Sequence, residues 1–287
     1  IRLMQIIKDI PHYLSLMRAD KPIGWLLLMW PTLWAVWIAG QGHPDAKLTW
    51  IFVVGVIIMR SAGCVINDYA DKDIDPLVDR TTQRPLAAGF LSPRQGIGLF
   101  VLLGFLALCL LMMLPMRVWP WSIPAVILTI IYPYMKRFIQ APQLVLGLAF
   151  SFGIPMVYVT MDHSFDQTFY LLMLSNFFWV MVFDTQYAMS DREDDLKVGV
   201  KSSAILFGKN DKKIILLFQL LVIGLWVAIA FLQKFNSSFY FALLLAATLF
   251  AYQQWLIRDD QRSPCFQAFL NNGWLGGVIW FGLVLAK

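Results

Sequence analysis

Ten of the chain's eighteen acidic residues fall in two short stretches. The first reads Asn67-Asp68-Tyr69-Ala70-Asp71-Lys72-Asp73-Ile74-Asp75, followed by Pro76 and Asp79-Arg80; the second carries Asp184, Asp191, Glu193, Asp194 and Asp195. At about 100° per residue on a helix, Asp68, Asp71 and Asp75 fall within about 60° of one another, with Asn67 beside them and Asp73 pointing away. Pro76 disfavours helix at the residue before it, so this face extends to about Asp75 and Asp79 falls in a loop. Carboxylates stacked on one face repel one another, and at a helix C-terminus they also oppose the macrodipole. Something must neutralise them. Aspartate is a hard oxygen ligand, and Mg²⁺ takes one or two carboxylates while filling its other positions with water and phosphate oxygens. Two such rows facing each other can hold Mg²⁺ and a diphosphate.

The second stretch repeats the spacing of the first. Asp184, Asp191 and Asp195 stand at a constant offset of 116 residues from Asp68, Asp75 and Asp79. Four membrane spans separate the two rows in the reading below, an even number, so the relation is a parallel internal repeat of spans two to five on spans six to nine. The chain is read as one domain, residues 1–287.

The elements that position these rows follow from composition. The chain has 287 residues, 59% hydrophobic and 14% charged, against roughly 25% charged in a soluble domain. A soluble enzyme is excluded, because 18 acids and 23 bases cannot cover the surface of a water-soluble fold this size. Cys64, Cys109 and Cys265 are too few and too scattered for a disulfide framework or a metal site, and are expected as free thiols. The net charge of +5 does not indicate nucleic acid, since no segment concentrates bases without apolar residues or acids beside them. The first 22 residues are mixed and lack the form of a signal peptide.

Apolar runs long enough for a hydrocarbon core of about 30 Å, which takes about 20 helical residues, lie near 23–40, 48–70, 95–116, 118–135, 142–161, 166–189, 212–233, 237–257 and 266–286. Backbone groups inside a bilayer must be satisfied within the segment, so these are helices. The fold class is therefore all-α, a polytopic membrane protein with a bundle of nine transmembrane helices. Eighteen of the 23 bases belong to the N-terminus and the loops after spans two, four, six and eight, with Arg60 inside span two and four on the other side. The positive-inside rule puts the N-terminus and both acidic rows in the cytoplasm and the C-terminus opposite.

Arg80, Arg84, Lys136, Arg137 and Lys201 lie in the three cytoplasmic loops around such a site. Arg60 differs: it sits seven residues, roughly 10.5 Å, deeper than Asn67 in an apolar helix, and an intramembrane arginine is costly enough to suggest function. Its structural alternative is a partner for Asp68 or Asp71.

Asn67-Asp68-x-x-Asp71-x-x-x-Asp75 resembles the NDxxDxxxD motif of the UbiA superfamily of intramembrane aromatic prenyltransferases. Asp191-x-x-x-Asp195 resembles that family's DxxxD motif, and Tyr132-Pro-Tyr-Met-Lys136 its YxxxK element, all in the family's order. Longer stretches, from Arg18-Ala-Asp-Lys-Pro-Ile-Gly-Trp, Arg60-Ser-Ala-Gly-Cys-Val-Ile-Asn-Asp and Asp184-Thr-Gln-Tyr-Ala-Met-Ser-Asp191 to Lys201-Ser-Ser-Ala-Ile-Leu-Phe-Gly, resemble its bacterial members that act on 4-hydroxybenzoate.

The resemblance implies a central cavity, Mg²⁺ between the two motifs, and polyprenyl diphosphate and 4-hydroxybenzoate as substrates at the bacterial inner membrane. Asn67, Asp71, Asp75, Asp191 and Asp195 become the expected Mg²⁺ and diphosphate ligands, directly or through water. Asp68 and Asp184 bind metal or orient neighbours. Lys136, helped by Arg80, Arg84, Arg137 or Lys201, holds diphosphate oxygens, and Tyr132 lines the substrate. Arg60 pairs with the acceptor carboxylate or the donor diphosphate, and Asp191 is a candidate proton acceptor. Tyr69, Tyr132, Tyr134, Phe183 and Tyr187 are candidates to shield an allylic cation.

Two other readings share part of this pattern. A prenyltransferase with a naphthoate, homogentisate or haem acceptor has the same aspartates. An ion-coupled transporter also carries acids and repeats, but near the midplane rather than at the helix ends.

Overall fold

The computed structural model describes the backbone of residues 2–77 and 81–286. Arg80 and Asp79, named above, lie outside the described residues. All regular structure among the described residues is helical. In chain order the α-helices are α1 (Arg2–Leu16), α2 (Ile23–Ala39), α3 (Ala46–Ala70), α4 (Pro93–Met112), α5 (Trp119–Met135), α6 (Gln143–Ser151), α7 (Gly153–Thr160), α8 (Gln167–Val198), α9 (Ser203–Phe207), α10 (Asp211–Leu232), α11 (Ser237–Ile257) and α12 (Arg262–Leu285).

Eight helical stretches among the described residues are long and apolar enough to cross a bilayer, and the chain is a multi-pass membrane protein. The expected count of nine is not reached on length. The first expected span, α2, has 17 residues, about 26 Å of helix. The run expected at 142–161 is broken into α6 and α7, because Pro155 has no N–H to give the Ser151 carbonyl, and the chain passes through a tighter turn at Phe152. The run expected at 166–189 continues as helix to Val198, 32 residues in all, until Gly199 takes φ +77° and its N–H returns to the Asp195 carbonyl.

Packing follows the small residues. α12 lies on α2, where Trp30 Nε1 donates to the Gly273 carbonyl at 2.8 Å and Trp34 Nε1 to that of Gly276 at 3.1 Å. A side chain at 276 would enter the Trp30 ring, so glycine is what lets these backbones approach. Trp34 packs on Trp179 of α8 and Trp226 of α10, with centroids 5.0 and 5.2 Å apart. At the other end, α1 lies over the α3–α4 connection. Leu16, Tyr13 and Met17 pack with Val65, Leu86, Leu91 and Leu103, while Gln95, which closes a capping box with Ser92, donates to Asp9 and Tyr13.

Candidate functional site

α3 ends at Ala70, and Asp71 caps it, its N–H bonded to the Asn67 carbonyl. The acidic face expected to reach Asp75 therefore stops one turn earlier. The N–H groups of Ile74 and Asp75 both return 2.8 Å to the Asp71 carbonyl, and Asp75 begins a 3₁₀ turn, Asp75–Leu77. Crowded carboxylates at the negative end of the helix, followed by Pro76, account for the break. Asp75 still comes back to the row, because a cation gathers it in. Arg84 Nη1 lies 2.9 and 3.0 Å from the two Asp75 oxygens and 3.1 Å from Asp68 Oδ1.

Each carboxylate of the first row is buried, and bases hold all three. Asp68, 1% exposed, receives both oxygens' bonds from Arg18 Nη2 at 2.8 Å in addition to Arg84. Asp71, also 1% exposed, takes Lys136 Nζ on Oδ2 at 2.5 Å, with Asn67 Nδ2 at 3.4 Å and Arg137 3.8 Å from Oδ1. Burial pushes the Asp75 carboxyl up to about 6, opposed by Arg84 and reinforced by Asp68 and Asp71. Burial works against the Arg84 charge, yet Asp68 and Asp75 outweigh it and raise its pKa. For this coupled pair, desolvation governs the acid and pairing governs the base.

The second row is carried by α8. From Asp184, Asp191 and Asp195 lie within about 20° on either side, while Arg192 and Asp194 stand about 80° away on opposite flanks. Those flanks are tied outward: Arg192 to the buried Asp211 and Asp194 to Arg262 at 2.7 Å. The back of α8 is tied as well. Gln186 donates to Gln253 at 2.9 Å and accepts from Asn272 at 2.8 Å, and Asn272 in turn accepts from Trp179 Nε1 at 2.9 Å. With three sides anchored, the Asp184–Asp191–Asp195 face is the one turned inward.

Tyr132 stands near groups of both rows. Tyr132 is within electrostatic reach of Asp71, Asp184, Arg60 and Tyr187, and Arg84 of Tyr187. Asp184 lies within electrostatic reach of Gln143, Arg60 and Asp191. The C-terminal ends of α3 and α5 meet here, since Arg137 Nη2 donates to the Ala70 carbonyl at 2.5 Å. Lys201 braces the loop after α5: its N–H bonds the Lys136 carbonyl and its Nζ the Phe138 carbonyl, both at 3.0 Å. Arg60 pairs with neither Asp68 nor Asp71; its Nη1 donates to Cys64 Sγ at 2.9 Å.

Arg18 is the site cation that sequence reasoning did not single out, and its partner Asp68 stands 50 residues away. Gln143 was also missed. Among the described residues, no group of three or more His, Cys, Asp or Glu is drawn together as a ready-made metal cage. The residues nonetheless fit a hard divalent cation. Asp71 Oδ1 is a buried carboxylate oxygen with no hydrogen-bond donor, and Mg²⁺ is ordinarily held by one or two carboxylates completed by water and phosphate.

Comparison with known proteins bears on what this arrangement serves. The description "UbiA prenyltransferase family" matches residues 28–276. Proteins described as 4-hydroxybenzoate octaprenyltransferase are 50% identical in Aeromonas hydrophila, over 95% of each chain, and 52% and 51% identical in Tolumonas auensis and Vibrio cholerae, over 96% of each. Among solved structures, the apo form of a UbiA homologue from Aeropyrum pernix superposes with a TM-score of 0.79 at 21% identity, over 90% of this chain and 96% of that one. A UbiA homologue from Archaeoglobus fulgidus, solved with GPP and Mg²⁺, gives 0.73 at 18% identity, over 95% and 99%.

Proposed function

The chain belongs to the UbiA prenyltransferase family, and from that premise we propose that it transfers a polyprenyl group from polyprenyl diphosphate to the ring carbon ortho to the hydroxyl of 4-hydroxybenzoate, releasing diphosphate. It does so as a multi-pass enzyme of the bacterial inner membrane in ubiquinone biosynthesis, with the N-terminus and site at the cytoplasmic face. The acceptor follows from relatives about 50% identical over nearly the whole of both chains. Their description as octaprenyltransferases supports an eight-isoprene donor. The structural observation that carries the reading is Asp71, buried, with one oxygen held by Lys136 and the other without a donor.

Asn67, Asp71, Asp75, Asp191 and Asp195 would hold Mg²⁺, directly or through water, with Asp68 and Asp184 orienting them. Bound there, Mg²⁺ would supply Lewis-acid neutralisation of the charge growing on the diphosphate. Lys136 and Arg84, already at the row, hold diphosphate oxygens, joined by Arg137 and Arg80. They act where charge develops as the allylic carbon–oxygen bond breaks. Tyr132 and Tyr187 line the space between the rows and exclude water from the allylic cation. The ring carbon attacks, the carbon–carbon bond forms, and the displaced ring proton passes to a carboxylate, for which Asp191 is the candidate. Arg60, whose Nε has no hydrogen-bond partner, meets the acceptor carboxylate. Lys201 contributes by holding the α5–α6 loop.

The test is the reconstituted full chain with radiolabelled polyprenyl diphosphate, Mg²⁺ and a panel of aromatic acceptors. Product is expected with 4-hydroxybenzoate and to vanish in excess chelator. Preference for a naphthoate, or turnover that ignores the chelator, would overturn it.

A further inference from the structure

The guanidinium of Arg60 is held by two residues that the reaction does not otherwise use. One turn along α3, Cys64, 5% exposed, accepts from Nη1 at 2.9 Å. On α2, Gly24 is buried, and a Cβ built on it would stand 2.7 Å from Nε, 2.9 Å from Nη2 and 3.1 Å from Cζ. The guanidinium therefore lies directly against the helix backbone, in space that only glycine leaves. Gly24 is the second residue of α2, and the missing side chain in this first turn opens room for a charge.

The partners are also weak. A thiol sulfur is a poor acceptor, and Nε is buried without any partner. A carboxylate in place of Cys64 would neutralise Arg60, whereas the thiol fixes its direction and leaves its charge for another anion. Asp184 and Tyr132 are within its electrostatic reach but make no hydrogen bond to it.

We propose that Gly24 and Cys64 are positioning residues that set the Arg60 guanidinium as the carboxylate reader of the acceptor site, so that residue 24 governs preference for an aromatic acid. This rests on the reading that Arg60 meets the acceptor carboxylate. In a rigid planar acid the carboxylate and the reacting ring carbon are a fixed distance apart. A guanidinium displaced by a methyl group at 24 shifts that carbon with it, and misplacement of about 1 Å is costly.

The experiment compares wild type, Gly24→Ala, Cys64→Ala, Cys64→Ser and Arg60→Ala as full chains in phosphatidylethanolamine–phosphatidylglycerol vesicles. Apparent affinities for 4-hydroxybenzoate and neutral 4-hydroxybenzamide are read as acceptors or competing inhibitors, so the acid-to-amide ratio is obtained whether or not the amide turns over. Gly24→Ala and Cys64→Ala are expected to weaken the acid about tenfold and leave the amide and the polyprenyl diphosphate KM within about twofold, while Cys64→Ser, whose hydroxyl still accepts, is expected to keep the wild-type ratio. If Arg60→Ala collapses the acid-to-amide ratio while Gly24→Ala and Cys64→Ala leave it intact, the positioning inference falls and the reading of Arg60 stands. If Arg60→Ala also leaves the ratio intact, the reading of Arg60 itself falls. Equal loss for acid, amide and diphosphate in Gly24→Ala and Cys64→Ala marks general misfolding and overturns the inference too.

Discussion

Lys136 Nζ stands 2.5 Å from Asp71 Oδ2, joining the end of α5 to the end of α3, while the second oxygen of the same carboxylate is buried with no donor. One carboxylate thus carries a bonded lysine on one oxygen and, with Arg137 at 3.8 Å, an oxygen on the other side that accepts no hydrogen bond. Asp71→Asn keeps the shape and removes the charge, and should lower turnover at least about a hundredfold, as loss of a charge-stabilising group at a reacting centre does. Lys136→Ala should raise the polyprenyl diphosphate KM without changing the acceptor KM. Steady-state assays in vesicles read both, and near-normal turnover of Asp71→Asn removes it from the metal set.

Arg84 holds Asp75 and shares Asp68. Removing one member of a buried ion pair leaves an uncompensated charge, costing about 3–5 kcal/mol. Arg18 remains on Asp68, so the loss falls on Asp75 and the low end applies, about 3 kcal/mol. Thermal unfolding in detergent should show Arg84→Ala strongly destabilised and Arg84→Ala/Asp75→Asn substantially recovered. A double variant no better than the single one contradicts the pairing.

The Asp75 carboxyl is raised to about 6, chiefly by burial. The metal-free folded chain therefore binds this proton more tightly than the unfolded chain does. Its contribution to stability is fully present below the unfolded carboxylate pKa of about 4 and is lost as pH rises through about 6. In chelator, melting temperature should fall between pH 4 and 7, and Asp75→Asn should flatten that slope. Mg²⁺ competes with the proton, so its apparent affinity should drop below pH 6. A wild-type slope identical to that of Asp75→Asn removes the assignment.

Asn272 joins Trp179 Nε1 to Gln186 Oε1 in the membrane interior. Asn272→Leu strands both groups and should cost about 1.5 kcal/mol, near the upper end for a hydrogen bond inside a membrane protein. Because this network anchors the back of α8, the apparent Mg²⁺ affinity should weaken as well, read by metal titration of activity. Unchanged stability would show that the amides re-pair locally.

The parts of this site legible in the sequence are those written in local spacing. The acidic rows and the apolar runs could be read because each depends on residues within a few turns, and the YxxxK element through its family resemblance. What escaped depended on distant chain. Arg18 opened a family-like stretch and counted among the N-terminal charges, but its bond to Asp68 spans 50 residues and no local pattern pairs them. The end of α3 at Ala70 was misjudged because the repulsion among these carboxylates was read as a demand for a metal and not as a limit on the helix. The α6–α7 break lies in an apolar run that hydropathy averages through, though Pro155 marked it. Lys201 shared the sign and side of the site's cations, and only the fold showed it turned toward Phe138.

The length of α8 has a last consequence. Its 32 residues amount to about 48 Å against a hydrocarbon thickness of about 30 Å, so Asp184, Asp191 and Asp195 stand on one uninterrupted rod. Such a rod is a ruler with no tolerance for miscounting: a single residue inserted after Asp184 would swing both later carboxylates about 100° off the shared face. The same insertion beyond Gly199, where the rod has ended, would merely lengthen a connection.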